Sequence, residues 1–109
     1  MLIINRIYNP VTIRIMYFDD FGVEYPQPPA GAQVIDAPYT YPEAMAELRL
    51  ERDARLNWSD WTQLPDVPLS PAAVAQWRAY RQDLRNVPEL VETLGWDGAA
   101  NWPIAPKSN

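Results

Sequence analysis

The sequence predicts an α+β fold: a small N-terminal antiparallel β-meander, then two helices joined by a proline-rich connector, then an extended C-terminal tail. Short runs of β-branched and aromatic residues, separated by turn residues, fill the first third of the chain. Further along the chain, two helix N-cap signatures are each followed by apolar residues spaced as on one face of a helix. Proline accounts for 12 of 109 residues and glycine for only 4, so fixed backbone angles punctuate the chain. We expect a meander over residues 1–41 and a helical region over 42–109, together forming one compact unit.

The first two predicted strands cover residues 2–8 and 11–18, with the turn pair Asn9-Pro10 between them. Alternate residues of the second strand point to opposite faces, and both faces are rich in apolar side chains. A strand that is apolar on both faces is typical of a sheet that is covered on both sides. We therefore expect its second face to be covered by the helices or by a partner.

A hairpin and a proline-rich crossing follow. Asp19-Asp20-Phe21-Gly22 combines turn-favouring acids with a glycine, so the chain should return through a strand at residues 23–25. Asp20-Phe21-Gly22 also spells the metal-binding tripeptide of protein kinases, but no other kinase motif is present and a turn explains it better. Three prolines over residues 26–29 exclude a strand there, and a last short strand is predicted at residues 33–37.

The first helix is predicted over residues 42–56. Thr40 and Glu43 have the spacing of a capping box, in which each side chain bonds the backbone N–H of the other residue. Pro42 fits the first helical turn, where its missing N–H costs little.

The second helix is predicted over residues 71–86. Ser70 is a favourable N-cap, Pro71 fits the first position, and Pro88 disfavours helical geometry at the residue before it. Glycines at 95 and 98 would end any short extension. One arc of the helix carries its apolar residues, namely Ala73, Val74, Trp77, Tyr80, Leu84 and Val87.

Composition excludes several classes of function. The chain has no histidine and no cysteine, which removes the usual general base, the usual zinc ligands and the thiolate nucleophile. The formal charge of -5 is spread along the chain without a basic half, so a nucleic-acid partner is not expected. The apolar run at the N-terminus is too short for a signal peptide or a membrane span. These features predict a cytosolic protein without catalytic residues, cofactor or metal, and without a membrane partner.

Two sets of side chains are candidates for binding a partner. Arg78, Arg81 and Arg85 recur along one flank of the second helix and could bind an acidic surface. The alternative is that they pair internally with acids such as Asp60 and Asp66. Carboxylates at 60 and 66 could also hold a hard cation, but backbone capping explains them better.

The second half of the chain is unusually aromatic. Five tryptophans exceed what so small a core can hide, and interfaces are enriched in this residue. Trp58 and Trp96 are therefore further candidates for partner binding. We expect Trp102, between Asn101 and Pro103, to pin the extended tail onto the body.

A long ordered block resembles the phage tail-fibre assembly chaperone family. It comprises Ser59-Asp60-Trp61-Thr62-Gln63-Leu64-Pro65-Asp66-Val67-Pro68-Leu69-Ser70, Trp77, Tyr80-Arg81-Gln82, Leu84-Arg85 and Pro88. The resemblance covers about the last half of the chain, whereas the N-terminal strands resemble those of the family only loosely. Asn86 departs from the pattern where an acid is usual, and so do Ala72 and Ala73. The resemblance implies structural roles for Asp60, Trp61, Leu64, Asp66, Trp77, Tyr80, Leu84 and Trp102.

The resemblance also implies a function. Members of the family are non-enzymatic helpers that bind a trimeric tail fibre, usually near its C-terminal end, while the fibre folds and assembles in the host cytoplasm. A second possibility is a permanent virion component that caps or decorates the fibre and aids adsorption to the host. Both imply a fibre protein as the partner.

Overall fold

A computed structural model describes residues 1–96 and 100–107 as a four-stranded sheet followed by two helices, which confirms the α+β class. The molecule is elongated, measuring 61 × 24 × 22 Å. No helix in the described part of the chain is long and apolar enough to cross a membrane. The elements are β1 (Ile3–Asn9), β2 (Arg14–Asp19), β3 (Glu24–Tyr25), β4 (Gln33–Asp36), α1 (Tyr41–Ser59), a 3₁₀ helix (Asp60–Gln63) and α2 (Pro71–Leu94).

The sheet is mixed, with strand order β3-β2-β1-β4. β1, β2 and β3 pair antiparallel in sequence order, as predicted, but β4 pairs with β1 in parallel. The prediction of a purely antiparallel meander is therefore wrong in its last strand. Prolines 26, 28 and 29 cannot donate to a ladder next to β3, so the chain crosses to the opposite edge and pairs there.

The first hairpin begins its second strand later than predicted. The Asn9 side-chain oxygen accepts hydrogen bonds from the backbone N–H groups of Val11, at 2.9 Å, and Thr12, at 3.3 Å. Ile13 takes a positive φ of 54° and donates its N–H to the Asn9 carbonyl at 2.9 Å. The local bonds of the asparagine replace ladder bonds, so residues 10–13 form a loop and β2 starts at Arg14.

The Asp19 carboxylate organises the second hairpin. It accepts hydrogen bonds from the backbone N–H groups of Phe21 and Val23 and from the Tyr25 hydroxyl, each at 2.9 Å. Gly22 has a positive φ of 83°, which an L side chain rarely adopts. The Asp20-Phe21-Gly22 tripeptide thus lies in a tight turn, as its turn residues indicate.

The Asp19 turn predicts a pH dependence of folding. The hydrogen bond from the Val23 N–H is the main cause that lowers the pKa of Asp19, and the Tyr25 hydroxyl contributes. A lowered pKa in the folded state means that this stabilisation is present above the unfolded pKa of about 3.9 and is lost as the pH falls through the folded pKa. We expect the free energy of unfolding to fall less steeply on acidification in Asp19→Asn than in the wild type. Urea titrations between about pH 6 and pH 3 measure it.

The matched control for this experiment is Asp20→Asn, which removes the same charge from a carboxylate that accepts a hydrogen bond from Asn5. Equal acid slopes for Asp19→Asn and the wild type would show that the turn does not depend on the ionised carboxylate.

Both predicted helix caps are present. Thr40 accepts from the Glu43 N–H at 3.4 Å, and the Glu43 carboxylate accepts from the Thr40 N–H at 3.2 Å, which completes the capping box of α1. Ser70 accepts from the Ala73 N–H at 3.1 Å and begins α2. These satisfied N–H groups fix where each helix starts.

The end of α2 differs from the prediction, because the helix continues through Pro88 to Leu94. A proline inside a helix costs about 3 kcal/mol. Val87, Pro88 and Val91 are all buried, and burying two valines offsets that cost at about 1.5 to 3 kcal/mol each. The helix ends where Gly95 takes a φ of 91°. The second predicted breaker, Gly98, lies outside the described residues.

Two apolar clusters hold the elements together. The sheet-side core joins one end of the sheet to both helices and contains Tyr8, Ile13, Ala44, Met45, Leu48, Val87, Val91, Trp96 and Ala100. The connector-side core contains Trp77, Tyr80 and Leu84, with Leu56 and Leu69 packed against it.

The tail residue Trp102 packs against both cores. Its indole N–H donates to the Pro10 carbonyl at 3.0 Å, and the Arg55 guanidinium lies 4.5 Å from its ring centroid. The side chain therefore ties the tail to the first hairpin and to α1.

Candidate functional site: an exposed aromatic ridge

The candidate site is built on the buried ring of Trp77. This residue is only 1% exposed, and three other aromatic rings surround it. The ring centroids of Trp58, Trp61 and Tyr80 lie 5.6, 6.1 and 5.7 Å from that of Trp77. Tilted and edge-on contacts at such distances are favourable, so Trp77 holds the two outer tryptophans in place.

Trp58, Trp61 and Leu64 lie outside this ring as an exposed apolar strip, which we call the aromatic ridge. Their exposed fractions are 59%, 39% and 59%. Trp58 comes from the last turn of α1, Trp61 from the 3₁₀ helix, and Leu64 from the residue that caps this short helix. Single exposed apolar residues are ordinary, but large ones brought together in this way are typical of interaction sites.

Two shallow grooves adjoin the ridge, one beside Trp61 and Leu64 and the other beside Trp58. The first groove, of about 340 Å³, is lined by Trp61, Leu64, Pro65, Asp66, Val67 and Pro68. The second, of about 350 Å³, is lined by Glu51, Ala54, Arg55, Trp58, Tyr80, Pro103 and Ala105. Mostly apolar walls of this kind suit the side chains of a protein partner.

Arg81 fixes the segment that carries the ridge. Its guanidinium donates at 2.7 Å to the Leu56 carbonyl and at 2.7 Å to the buried Ser59 hydroxyl, and it pairs with Asp60 at 2.8 Å. These bonds join α2 to the junction between α1 and the 3₁₀ helix. Of the two possibilities that the sequence leaves open for Arg81, the structure therefore shows internal pairing with Asp60 and not a surface position facing a partner, because its donors are occupied inside the molecule.

The other two arginines of the flank, Arg78 and Arg85, are exposed. Arg78 lines a groove beside the connector, together with Leu64 of the ridge. Their exposure is compatible with binding an acidic surface, and both residues stay candidates for it.

Trp96 is not on the surface. It is 2% exposed and makes an edge-on contact with Tyr8, whose ring centroid lies 5.6 Å away. The prediction that it binds a partner is therefore wrong, because the ring fills the sheet-side core. The opposite holds for Leu64 and Trp61, to which the resemblance assigns structural roles. Both side chains are exposed, although the Trp61 ring also contacts Trp77.

The remaining family-motif residues divide between the interior and the surface. Tyr80 and Leu84 are buried beside Trp77, whereas Asp60 and Asp66 are exposed. Asp66 lines the first groove, and Asp60 serves as the ion-pair partner of α2. Among the described residues no group of three or more acidic side chains is placed to hold a metal ion.

The segment that carries the ridge matches a known protein family. A family model described as phage tail assembly chaperone protein matches residues 45–107, which is more than half of the chain. Comparisons with curated proteins and with solved structures find no match. The matched segment contains most of α1, the ridge, the connector, α2 and Trp102, and it leaves the sheet outside. The chain therefore belongs to the phage tail assembly chaperone family.

Proposed function

We propose that the chain is a non-enzymatic assembly chaperone that binds a trimeric phage tail fibre near its C-terminal end and assists its folding or assembly in the host cytoplasm. The observation that supports this most directly is the aromatic ridge, which keeps two tryptophans and a leucine exposed inside the family segment. Tryptophan is the residue most enriched among those that dominate binding energy at interfaces. Arg78 and Arg85, on the adjacent face of α2, add the charge that steers an acidic partner.

The aromatic ridge suits the task of assisting the folding of a fibre. Trimeric fibres fold through non-local strand pairing, which is slow and leaves apolar surface and strand edges exposed. A small rigid ridge can cover such surface reversibly without ATP. The absence of histidine and cysteine from the sequence fits a role in binding rather than catalysis.

The experiment is co-expression of the fibre protein of the same phage with the wild-type chain or with Trp58→Ala/Leu64→Ala. We expect the double variant to bind the fibre at least about tenfold more weakly, since truncating an interface tryptophan costs about 2 kcal/mol or more. The yield of fibre trimer should fall accordingly. Sedimentation and calorimetry measure trimer yield and affinity.

The control is Leu90→Ala, which truncates an apolar side chain of α2 that is 45% exposed and lies outside the ridge. It should leave binding and trimer yield unchanged. Equal trimer yield with and without the chain would exclude the chaperone function.

The alternative of a permanent virion component is favoured by the Trp102 anchor, which makes the tail part of a rigid body. Mass spectrometry of purified virions separates the two functions. Stoichiometric copies of the chain on mature particles would indicate the structural role, and none would be found for a chaperone that leaves.

A further inference from the structure

The outer side of β4 is an open sheet edge. On its inner side, Gln33 donates its N–H to the Leu2 carbonyl at 2.9 Å, and Ala37 donates to the Arg6 carbonyl at 3.1 Å. Main-chain groups alternate in direction along a strand, so those of Val34 and Asp36 point away from β1. No strand among residues 1–96 and 100–107 lies on that side. β4 therefore presents main-chain donors and acceptors that another strand could pair with.

One face of the same sheet carries large apolar side chains among polar ones such as Asn5 and Gln33, and it is incompletely covered. The strand register places five large apolar side chains on it, namely Ile3, Ile7, Met16, Phe18 and Ile35. None of the five is buried or belongs to either core, and Ile35 on the edge strand is 40% exposed. The opposite face carries the buried residues Ile4 and Tyr8. A strand added to β4 would extend the uncovered face and cover part of Ile35.

The two edges of the sheet differ in their protection. β3 has only two residues, and prolines at 26, 28 and 29 follow it, so a partner strand finds little to pair with there. β4 contains neither proline nor lysine, the residues that commonly block an edge. Its one charge, on Asp36, is paired with Arg6 at 2.7 Å. The open edge is therefore close to neutral and fits an uncharged strand.

We propose that the outer edge of β4 is the docking site for one β-strand of the unassembled tail-fibre polypeptide, which adds to the sheet as a fifth strand. The proposal rests on the proposed function and assigns a second binding site, outside the family segment. Main-chain hydrogen bonds tolerate many sequences, whereas contact with the exposed Ile35 side chain favours a strand with an apolar residue on that side. A fibre strand held in this way cannot pair with a wrong strand, and the four-residue length of β4 keeps the contact reversible.

A second copy of the chain fits the edge less well. A two-fold axis would set two β4 strands antiparallel, and it would bring together two molecules that each carry a formal charge of -5. The pairing would comprise four residues from each copy, far from the area of a stable dimer.

The test is amide hydrogen exchange, followed by NMR, on the full chain alone and in complex with the fibre protein of the same phage. We expect the exchange of the Val34 and Asp36 amides to slow at least tenfold in the complex. A matched pair of variants adds a binding measurement. Val34→Pro and Val34→Ala both remove the branched valine side chain, but only the proline removes the outward N–H, so we expect Val34→Pro to bind the fibre about fivefold to tenfold more weakly than Val34→Ala.

The outcomes separate this site from the ridge. If the wild type does not bind the fibre at all, both proposals are overturned. If the wild type binds, Trp58→Ala/Leu64→Ala does not, and the Val34 and Asp36 amides exchange as in the free chain, only the strand-docking proposal is overturned. It is overturned equally if these amides become protected on raising the concentration of the chain alone, since a second copy would then occupy the edge. If Val34→Pro fails to fold, wild-type exchange decides.

Discussion

Trp77→Ala is expected to lower the free energy of unfolding by about 3 to 5 kcal/mol, the range for removing a large buried aromatic side chain. The ring is 1% exposed and contacts Trp58, Trp61 and Tyr80, which come from three different elements. Its removal leaves a cavity that those neighbours cannot fill without leaving their own contacts. Because the outer two rings rest on it, binding of the fibre should fall together with stability.

The measurement is urea unfolding followed by circular dichroism, with Trp58→Ala as the control. Trp58 is largely exposed, so its loss should cost only about 1 kcal/mol, mainly from its one aromatic contact. Trp77→Phe tests a second feature, since the Trp77 indole N–H is buried without a hydrogen-bond partner among the described residues. Phenylalanine fills part of the space and removes that unpaired donor, so its cost should be much smaller than that of alanine. A loss below 1 kcal/mol for Trp77→Ala would mean that the connector-side core does not hold the helices together.

Helix starts were predictable from the sequence because they depend on local bonds. The capping box of Thr40 and Glu43 and the cap at Ser70 each involve residues three apart, so their chemistry is visible in the sequence. The end of α2 depends instead on what Pro88 touches. The cost of a proline in a helix can be estimated from the sequence alone, whereas the burial of the last turns against the sheet-side core cannot. Here the free energy gained by that burial outweighs the cost of Pro88, so the helix continues.

In the sheet, too, the features that depend on local bonds were predictable and those that depend on distant contacts were not. The turn at Asp19 is local and was predicted, whereas the parallel partner of β4 depends on which edge the chain reaches after its prolines. The sequence predicts the turn at Asn9-Pro10 but not its extension to residue 13, because Ile13 is β-branched, which is typical of strands, and yet takes a positive φ. The Asn9 side chain, which can replace backbone partners in a turn, was the available signal.

In the candidate site, the number of tryptophans predicted an interface, but the sequence did not show which residues form it. Trp58 and Trp96 were equivalent in the sequence, and only the packing of Tyr8 shows that the second is core. The exposure of Leu64 likewise depends on the extended backbone that follows the 3₁₀ helix, at ψ 148°. The apolar second face of β2 was the one sequence signal for a surface on the sheet, and its residues remain incompletely covered in the structure.

Arg81 differs from Arg78 and Arg85 because its guanidinium makes an ion pair and hydrogen bonds inside the molecule. Its ion pair with Asp60 is weak in itself, since the Asp60 side chain is 60% exposed and water screens the attraction. The stronger part is the pair of bonds to the Leu56 carbonyl and to the fully buried Ser59 hydroxyl. Removing the guanidinium takes a charged donor away from both groups, and the Ser59 hydroxyl then keeps its own bond to the Leu56 carbonyl, at 3.0 Å, as an incomplete replacement.

Arg81→Met, which keeps the length and apolar stem of the side chain, is therefore expected to lower the free energy of unfolding by about 2 to 3 kcal/mol. Arg81→Lys should recover little, because one ammonium group cannot reproduce the geometry of a guanidinium that reaches three acceptors. The exposed neighbours Arg78→Met and Arg85→Met serve as controls and should change stability by no more than about 0.5 kcal/mol, while weakening fibre binding at low salt. Urea unfolding and calorimetric titration with the fibre measure the two effects. Equal stability changes for all three substitutions would contradict the internal role of Arg81, since only this arginine links α2 to the segment that carries the ridge.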